Sequence, residues 1–177
     1  MSEIQKQIDQ YADSLAVFCN RHNLPDSWFG VPDHVAFKAA NSDDFERLID
    51  IFKSLSSEIS CITMDNRRLA TAKLSGQLSV GRFGSVSWVE LMEPRPEKVG
   101  HDVVGMEHME FLYPRFDAIT SVLGYAKVAY ELQQNPGHSW VNIVINSDGQ
   151  ELKLNDQLLG DVVVEEIADG RGKVLYP

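Results

Sequence analysis

The stretch GMEHMEFLYP, residues 105 to 114, has the apolar composition of a buried strand but carries three ionisable side chains in its middle. Side chains alternate between the two faces of a β-strand, so residues two apart share a face. His108 and Glu110 therefore point to one side, and Met109 and Phe111 point to the other. This pattern predicts a strand with one face packed on a core and one face that carries ionisable side chains able to bind a ligand or transfer a proton.

The same pattern occurs earlier in the chain, in the stretch DHVAFKA that begins at Asp33. Residues 33 to 37 and residues 107 to 111 both read acid, histidine, apolar residue, any residue, phenylalanine. A predicted helix with an early phenylalanine follows each stretch, and three predicted strands follow each helix. This internal repetition indicates two similar βαβββ units, and the shared order of elements supports it more strongly than five matching residues do.

Apolar periodicity places the other elements along the chain. A helical stripe predicts an N-terminal helix over residues 3–21, and a second helix over 41–55 has Asn41 or Ser42 as its cap. The chain is therefore predicted to be a single domain, 1–177. Its parts are an N-terminal helix within 1–24, a first βαβββ module over 30–98, a second over 103–158, and a C-terminal segment, 159–177, whose structure the pattern leaves open.

The strand predictions follow from alternation and from turn residues. In the first module they cover 33–39, 58–64, 67–74 and 85–92, and in the second 107–113, 127–133, 139–146 and 150–156, with a short helix over 114–124. Each module has one helix with a single apolar stripe, which covers only one side of a small sheet. We therefore predict an α+β fold in which the two modules form a curved, half-open barrel around a cleft.

Composition and charge exclude several function classes. The formal net charge of −10 and a pI of about 4.9 lack the basic footprint of proteins that bind nucleic acid or anionic membranes. No apolar run approaches the roughly 18 residues of a membrane span, and the polar N-terminus has no signal-peptide core. Cys19 and Cys61 make no CxxC pair. We expect a cytoplasmic monomer or homodimer that binds a small molecule.

The polar faces of the predicted strands, folded together, would line one cleft with two imidazoles, several carboxylates and two lysines. Two imidazoles and one carboxylate suffice to bind a divalent metal with open positions. A single histidine in a strand is more often a hydrogen-bonded structural residue, but two histidines at equivalent places of a repeat favour a ligand pair. The side chains predicted on these faces are His34, Lys38, Glu90, His108, Glu110, Glu151 and Lys153.

The stretches DHVAFKA, NRRLATAKL, WVELMEPRPEKVGHDVVGMEHMEFLYP and DGQELKL resemble the YecM-type branch of the vicinal oxygen chelate superfamily, over roughly residues 25 to 165. The resemblance implies metal-ligand positions at His34, Glu90 and His108, for a divalent ion that is Fe, Mn, Ni or Zn. The superfamily usually has a carboxylate ligand on the last strand. Here Lys153 takes that place, with Glu151 two residues earlier, which implies a three-ligand site unless Glu110 or Glu151 adds a ligand.

The chemistry that the resemblance implies is capture of a small oxygen-rich metabolite by two neighbouring oxygens, followed by isomerase, lyase or dioxygenase chemistry. Whether the chain is an enzyme stays open, and the alternative is a non-catalytic small-ligand-binding protein of the same fold. Glu110 is the candidate general base or an alternative ligand. Candidates to hold an anionic substrate are Lys38, Arg68, His138 and Lys153, although Arg68 and His138 also fit a solvated surface pair.

Overall fold

The structure is a computed structural model that describes residues 2–64, 66–98, 103–113, 115–135 and 138–176. Its helices and strands follow the order α1 (Ser2–His22), β1 (Val31–Lys38), α2 (Ser42–Lys53), β2 (Ser56–Met64), β3 (Arg67–Ser79), β4 (Ser85–Met92), β5 (Gly105–Leu112), α3 (Ile119–Tyr125), β6 (Glu131–Asn135), β7 (His138–Val144), β8 (Glu151–Asn155), α4 (Leu159–Ala168) and β9 (Lys173–Tyr176).

The strands form one open nine-stranded sheet in the order β6-β7-β8-β5-β1-β4-β3-β2-β9. Strands β1 and β5 pair antiparallel at its centre. On one side β1 runs parallel to β4, and on the other β5 runs parallel to β8. The two halves therefore have the same strand order, β1-β4-β3-β2 and β5-β8-β7-β6. The predicted α+β fold with two βαβββ units is confirmed.

Three helices cover one face of the sheet. The buried stripe of α1 and that of α2 enter the same core as Val35, Phe37, Met109 and Phe111, which face away from the cleft. The Asn41 side chain accepts a hydrogen bond from the Asp44 N–H at 3.0 Å and caps α2, as expected. Helix α1 packs on its own chain. The assignment of strand faces from alternation is thus confirmed for β1 and β5.

A hydrogen-bonded tyrosine connects α1 to the central strands. The Tyr11 hydroxyl accepts from the Met109 N–H at 3.1 Å and donates to the Glu151 carbonyl at 2.5 Å. Burial raises the pKa of the Tyr11 hydroxyl far above its ordinary value, so it remains a donor at every physiological pH. One side chain thus satisfies two backbone groups on the two strands that carry the second half of the cleft.

The C-terminal segment, left open by the pattern, forms α4 and the edge strand β9. The chain leaves β8 in the second half, crosses the sheet as α4, and pairs antiparallel with β2 at the far edge of the first half. The Leu159 N–H at the start of α4 donates to Asp33 Oδ2 at 2.9 Å. Periodicity left this segment ambiguous because its run of three valines has strand propensity, while contacts with the cleft side of the sheet favour a helix.

Several boundaries differ from those predicted. Strand β3 continues to Ser79 because its last residues pair with the start of β4. Strand β6 starts at Glu131, four residues after the predicted position. The second module's helix starts late, since Phe116–Ala118 forms a 3-10 turn before α3. Pro114, the predicted start of that helix, falls outside the described residues.

Among the helices of the described residues, none combines the length and apolarity needed to cross a bilayer.

Replacing Tyr11 by phenylalanine tests the link between α1 and the sheet. The variant leaves a buried N–H and a buried carbonyl without partners, and each such group costs about 1–3 kcal/mol. We expect the free energy of unfolding, measured by urea denaturation, to fall by about 2 kcal/mol or more. Tyr125→Phe is the matched control, because the Tyr125 side chain is 92% exposed and its loss of a hydroxyl should leave the urea midpoint unchanged.

Candidate metal centre

The strand register places the candidate residues in two neighbouring rows on the face opposite the core. Across β4, β1, β5 and β8, one row reads Glu90, Ala36, His108, Glu151, and the next reads Trp88, His34, Glu110, Lys153. Ala36 lies between Glu90 and His108, and its small side chain leaves space above it. The longer side chains around it therefore converge over the centre of the sheet.

Donor atoms of His34, Glu90 and His108 lie near one another over this part of the sheet. One donor atom from each of the three lies within 4.8 Å of the other two. The Nε2 atom of His108 lies 3.7 Å from Glu90 Oε2, and the two imidazole rings meet edge to face with centroids 5.8 Å apart. Ligand atoms about 2.0–2.2 Å from one ion lie roughly 3–3.5 Å apart, so His108 Nε2 and Glu90 Oε2 are already close to that spacing.

Glu110 borders this group without belonging to it. Its Oε2 atom lies 3.9 Å from His34 Nε2, and the Asn155 amide donates a hydrogen bond to its other oxygen, Oε1. A second set of donors, Asp33, His34 and Glu110, also lies within 4.8 Å of one another. The geometry is therefore compatible with both predicted roles of Glu110, general base and additional ligand.

Each histidine is held by the acidic residue that precedes it. His34 Nδ1 lies 3.0 Å from Asp33 Oδ2, and His108 Nδ1 lies 3.1 Å from Glu107 Oε2. Neighbours in a regular strand point to opposite faces, but the β1–β5 register skips Asp33 and Glu107, each being the extra residue of a β-bulge. Alternation alone missed these two acids, although the repeated acid-histidine pair was the available signal.

The acid-histidine pairs determine which ring nitrogen faces the cleft. A carboxylate only accepts hydrogen bonds, so Nδ1 carries the proton of each imidazole in its neutral form, and Nε2 is then the atom with a lone pair. Among the described residues, the buried Nε2 of His108 has no hydrogen-bond partner. A buried lone pair without a donor is costly, and a bound metal ion would satisfy it. The donor set of two imidazoles and a carboxylate thus fits a divalent cation.

The two imidazoles have opposite electrostatic environments. Burial lowers the pKa of His108 to about 3, and Lys153 and His34 add to that shift, while Glu107 opposes it. Burial also acts to lower the pKa of His34, but Glu110 and Asp33 outweigh it and raise the value to about 9. Without metal at neutral pH, His34 is therefore an imidazolium and His108 a neutral base. Burial opposes ionisation of Glu107, but His108 and Lys38 hold its pKa far below the ordinary value.

In the second half of the sheet, Lys153 occupies the position equivalent to that of Glu90 in the first half. Glu90 pairs with the residue two after His34, and Lys153 pairs with the residue two after His108. The pseudo-twofold relation of the halves thus puts an ammonium where the first half has a carboxylate. Glu151, on the same strand, is the direct partner of His108. Burial raises the pKa of Glu151, partly offset by Lys153.

The four residues predicted to hold an anionic substrate lie in different surroundings. Lys38 is buried and forms an ion pair with Glu107, and Lys153 lies beside the centre. His138 lies on the cleft face at the outer end of β7, within 3.4 Å of Asp156.

Arg68 is not brought to the cleft. Its guanidinium binds Glu93 and Glu46 and covers the Phe45 ring of α2 at 4.7 Å, on the helix side of the sheet. Its neighbour Leu69 packs with Ala36 and Met92 on the cleft side, and adjacent residues of a strand alternate. Arg68 therefore supports the packing of α2 on the sheet.

Helix α4 closes one side of the centre. Besides the bond from Leu159 to Asp33, Gly160 packs on the Trp88 ring so closely that a β-carbon there would lie 3.2 Å from Trp88 Cζ2. Further along, burial raises the pKa of Glu166, Arg171 opposes the shift, and Glu90 adds to it. The helix therefore runs over the Glu90 side of the cleft.

Comparison with known proteins places this architecture. The family described as YecM protein matches residues 1–156. No curated protein matches the chain significantly in a sequence search. Among solved structures, the structural-genomics protein EC4020 is similar at 19% identity, covering 93% of this chain and 92% of that chain, with a TM-score of 0.73.

Two further solved structures are similar to the chain. Methylmalonyl-CoA epimerase from Mycobacterium tuberculosis matches at 19% identity, over 77% of this chain and 93% of that chain, with a TM-score of 0.51. A hypothetical protein from Bacillus halodurans C-125 matches at 12% identity, over 71% and 93%, with a TM-score of 0.50. At these identities the similarity establishes the fold alone.

The opposite shifts of the two histidines predict a distinctive titration of the metal-free chain. In ¹⁵N NMR of the imidazoles, His34 should hold both ring protons at pH 7 and lose one near pH 9. His108 should remain neutral as the pH is lowered past 5 and take up its second proton only near pH 3. Asp33→Asn should lower the pKa of His34 and leave that of His108 in place. Titration of both rings near the ordinary value of 6.5 would contradict the buried, coupled arrangement.

The same shifts set the pH dependence of stability. His34 has a folded pKa of about 9 against 6.5 when unfolded, so its contribution is complete below pH 6.5 and is lost between pH 6.5 and 9. His108 has a folded pKa of about 3, so its contribution is complete above pH 6.5 and is lost as the pH falls towards 3.

Proposed function

Because this chain belongs to the YecM protein family, we propose that it is an enzyme that binds one divalent metal ion through His34, Glu90 and His108. The substrate in this proposal is a small oxygen-rich metabolite that binds through two neighbouring oxygens. The proposal covers isomerase, lyase and oxygenase chemistry of the kind that the superfamily resemblance implies.

One observation carries the proposal. The Nε2 atom of His108 is buried without a hydrogen-bond partner among the described residues, and it faces donor atoms from His34 and Glu90. Leaving such an atom unsatisfied costs about 1–3 kcal/mol, so a structural role alone gives no reason for its position. Two neutral imidazoles and one carboxylate suit Fe, Mn, Ni or Zn better than Mg or Ca, which prefer oxygen ligands.

The chain's own residues prepare this site for a cation. Asp33 and Glu107 orient the two imidazoles and increase their basicity, as carboxylates behind ligating histidines do. Glu90 supplies negative charge. His34 keeps its second proton up to its pKa of about 9, and this proton has to leave before the Nε2 atom can bind an ion, so metal affinity should increase as the pH rises. The bound ion supplies Lewis acidity to the substrate's oxygens.

Glu110 is the residue we propose as the proton carrier. Asn155 holds one of its oxygens, which leaves Oε2 directed towards His34 and the space above it. A carboxylate positioned in this way is able to take a proton from a carbon beside the bound oxygens and to return it. A protein that only stored a ligand would have no need of a base at this position.

Replacing His108 by alanine tests the metal site. The variant removes a metal ligand whose Nε2 atom has no hydrogen-bond partner among the described residues. We therefore expect metal content to fall from near-stoichiometric to near zero, while circular dichroism shows a folded chain. The measurement is elemental analysis of purified protein for Mn, Fe, Ni and Zn, before and after reconstitution with each ion. Glu107→Gln should weaken affinity by about 10–100-fold, since it removes only the support of the ligand.

His138→Ala is the matched control, because this histidine lies at the outer end of β7. It should bind metal as the unaltered chain does. Equal metal content in the His108 and His138 variants would contradict the proposed ligand set.

Replacing Glu110 by glutamine separates catalysis from binding. We expect metal content to be unchanged and turnover to fall by about 10²–10⁴-fold, the usual contribution of a general base. Turnover is followed by NMR in D₂O as deuterium incorporation into small 2-oxo and 2-hydroxy acids presented as a mixture. Loss of metal in this variant would make Glu110 a ligand, and full retention of exchange would exclude it as the base.

A further inference from the structure

The two halves of the cleft carry different side chains at equivalent positions. In the first half, the cleft face has a small apolar cluster of Ala36, Leu69 and Met92, with Ile62 packed against it. The strand pairs of the second half place at the same positions, in the same order, Glu110, Trp140, Asn155 and Gln133. Hydrogen-bonding groups and an indole ring thus replace the apolar cluster, and we call Gln133, Trp140, Asn142 and Asn155 the amide face.

The amide face lies in the more accessible half of the cleft. Helix α4 covers the first half, where Gly160 packs on the Trp88 ring. In the second half, Trp140, Asn142 and Gln133 are half-buried rather than buried. A ligand at the candidate metal centre therefore has room to extend over β8 and β7, away from α4.

The next equivalent pair of residues leaves a hydrogen-bond acceptor unused. In the first half, Ser60 Oγ and Thr71 Oγ1 lie 2.6 Å apart and satisfy each other. Their counterparts are Glu131 and Asn142, and a carboxylate has no hydrogen to donate. The Oδ1 atom of Asn142 is buried without a hydrogen-bond partner among the described residues. Such an acceptor is costly, and a ligand hydroxyl would supply the missing donor.

Asn142 lies within reach of a ligand that begins at the metal centre. It is two strands from β5, in register with Lys153 and through it with Glu110. Two strand spacings make roughly 10 Å, about the length of a six-carbon chain with its terminal oxygens. The side chains that flank Asn142 are those of Lys153 and Glu131. Both are long and neither is fully buried, so they are able to turn aside for a ligand.

We propose that the amide face binds the hydroxylated chain of the substrate, which is a polyhydroxy compound of about six carbons, of the class of open-chain sugars and sugar acids. One hydroxyl donates to Asn142 Oδ1, and the C–H side of the chain packs on the Trp140 indole. The proposal rests on the proposed function in placing the substrate's two neighbouring oxygens at the metal centre. The contacts with Trp140 and Asn142 need no metal.

The test compares two probes of equal charge and chain length. Gluconate and 2-hydroxyhexanoate are both six-carbon 2-hydroxy acids, and only gluconate carries further hydroxyls. Binding to the full chain, metal-free and then zinc-loaded, is measured by NMR titration of the tryptophan indole and asparagine side-chain signals. We expect gluconate to bind about 10-fold or more tightly than 2-hydroxyhexanoate in both forms, because several hydroxyls each add a hydrogen bond.

Two results with these probes would overturn the proposal. The first is equal affinity for gluconate and 2-hydroxyhexanoate. The second is tighter binding of 6-amino-2-hydroxyhexanoate than of gluconate, which would assign the amide face to an ammonium group instead of hydroxyls.

Variants locate the contacts. Asn142→Leu should weaken gluconate binding by about 3–10-fold, the effect of losing one net hydrogen bond, and should leave 2-hydroxyhexanoate binding unchanged. Asn142→Asp keeps an acceptor and should recover part of the loss. Trp140→Leu should weaken the binding of both probes, since both chains pack on the indole. Asn20→Leu is the matched control, because Asn20 is an exposed asparagine of α1, and it should bind both probes as the unaltered chain does.

The amide face and the metal centre fail in different ways. A preference for gluconate that depends on Asn142, in a chain that takes up no metal, would support the amide face and overturn the metal centre. Metal uptake with a gluconate preference that survives in Asn142→Leu, or with no preference at all, would overturn the amide face and leave the metal centre in place.

Discussion

The antiparallel pairing of β1 with β5 is the constraint on which the rest of the structure depends. Its stagger sets His34 opposite Glu110 and Ala36 opposite His108, so each histidine lies opposite the residue two after the other. Because the two strands also begin the two βαβββ units, this one register fixes how the halves meet. A shift by one residue would turn the polar side chains of one of the two strands towards the core.

Buried polar groups then determine how the surroundings are built. Asp33 accepts hydrogen bonds from His34 and from the first N–H of α4, and Glu107 binds both His108 and Lys38. Asp33 is buried and Glu107 is half-buried, and each needs at least one donor or cation to offset its lost hydration. The candidate centre is therefore coupled to the C-terminal helix on one side and to Lys38 on the other. The bulges at the two acids make both connections possible.

The halves are alike in topology and different in charge. In the first half, the position two residues after the histidine pairs with Glu90, and in the second it pairs with Lys153. A carboxylate favours a cation, whereas an ammonium beside His108 favours an anion. Exchange of one side chain thus gives the two halves of a symmetric cleft opposite charges at equivalent positions. Helix α4, which has no counterpart after the first unit, adds to this asymmetry.

The family resemblance implied the set His34, Glu90 and His108, whereas the sequence by itself determined the α+β class, the two units and the faces of β1 and β5. These follow from local rules, because alternation and repetition depend only on neighbouring residues and on a shared order of elements. Tertiary structure alone decided that Asp33 and Glu107 share the histidines' face, that Arg68 packs on α2, and that residues 159–168 form a helix over the cleft. Bulges and long-range contacts set these features, and they arise from pairing between distant strands, which periodicity along the chain does not encode.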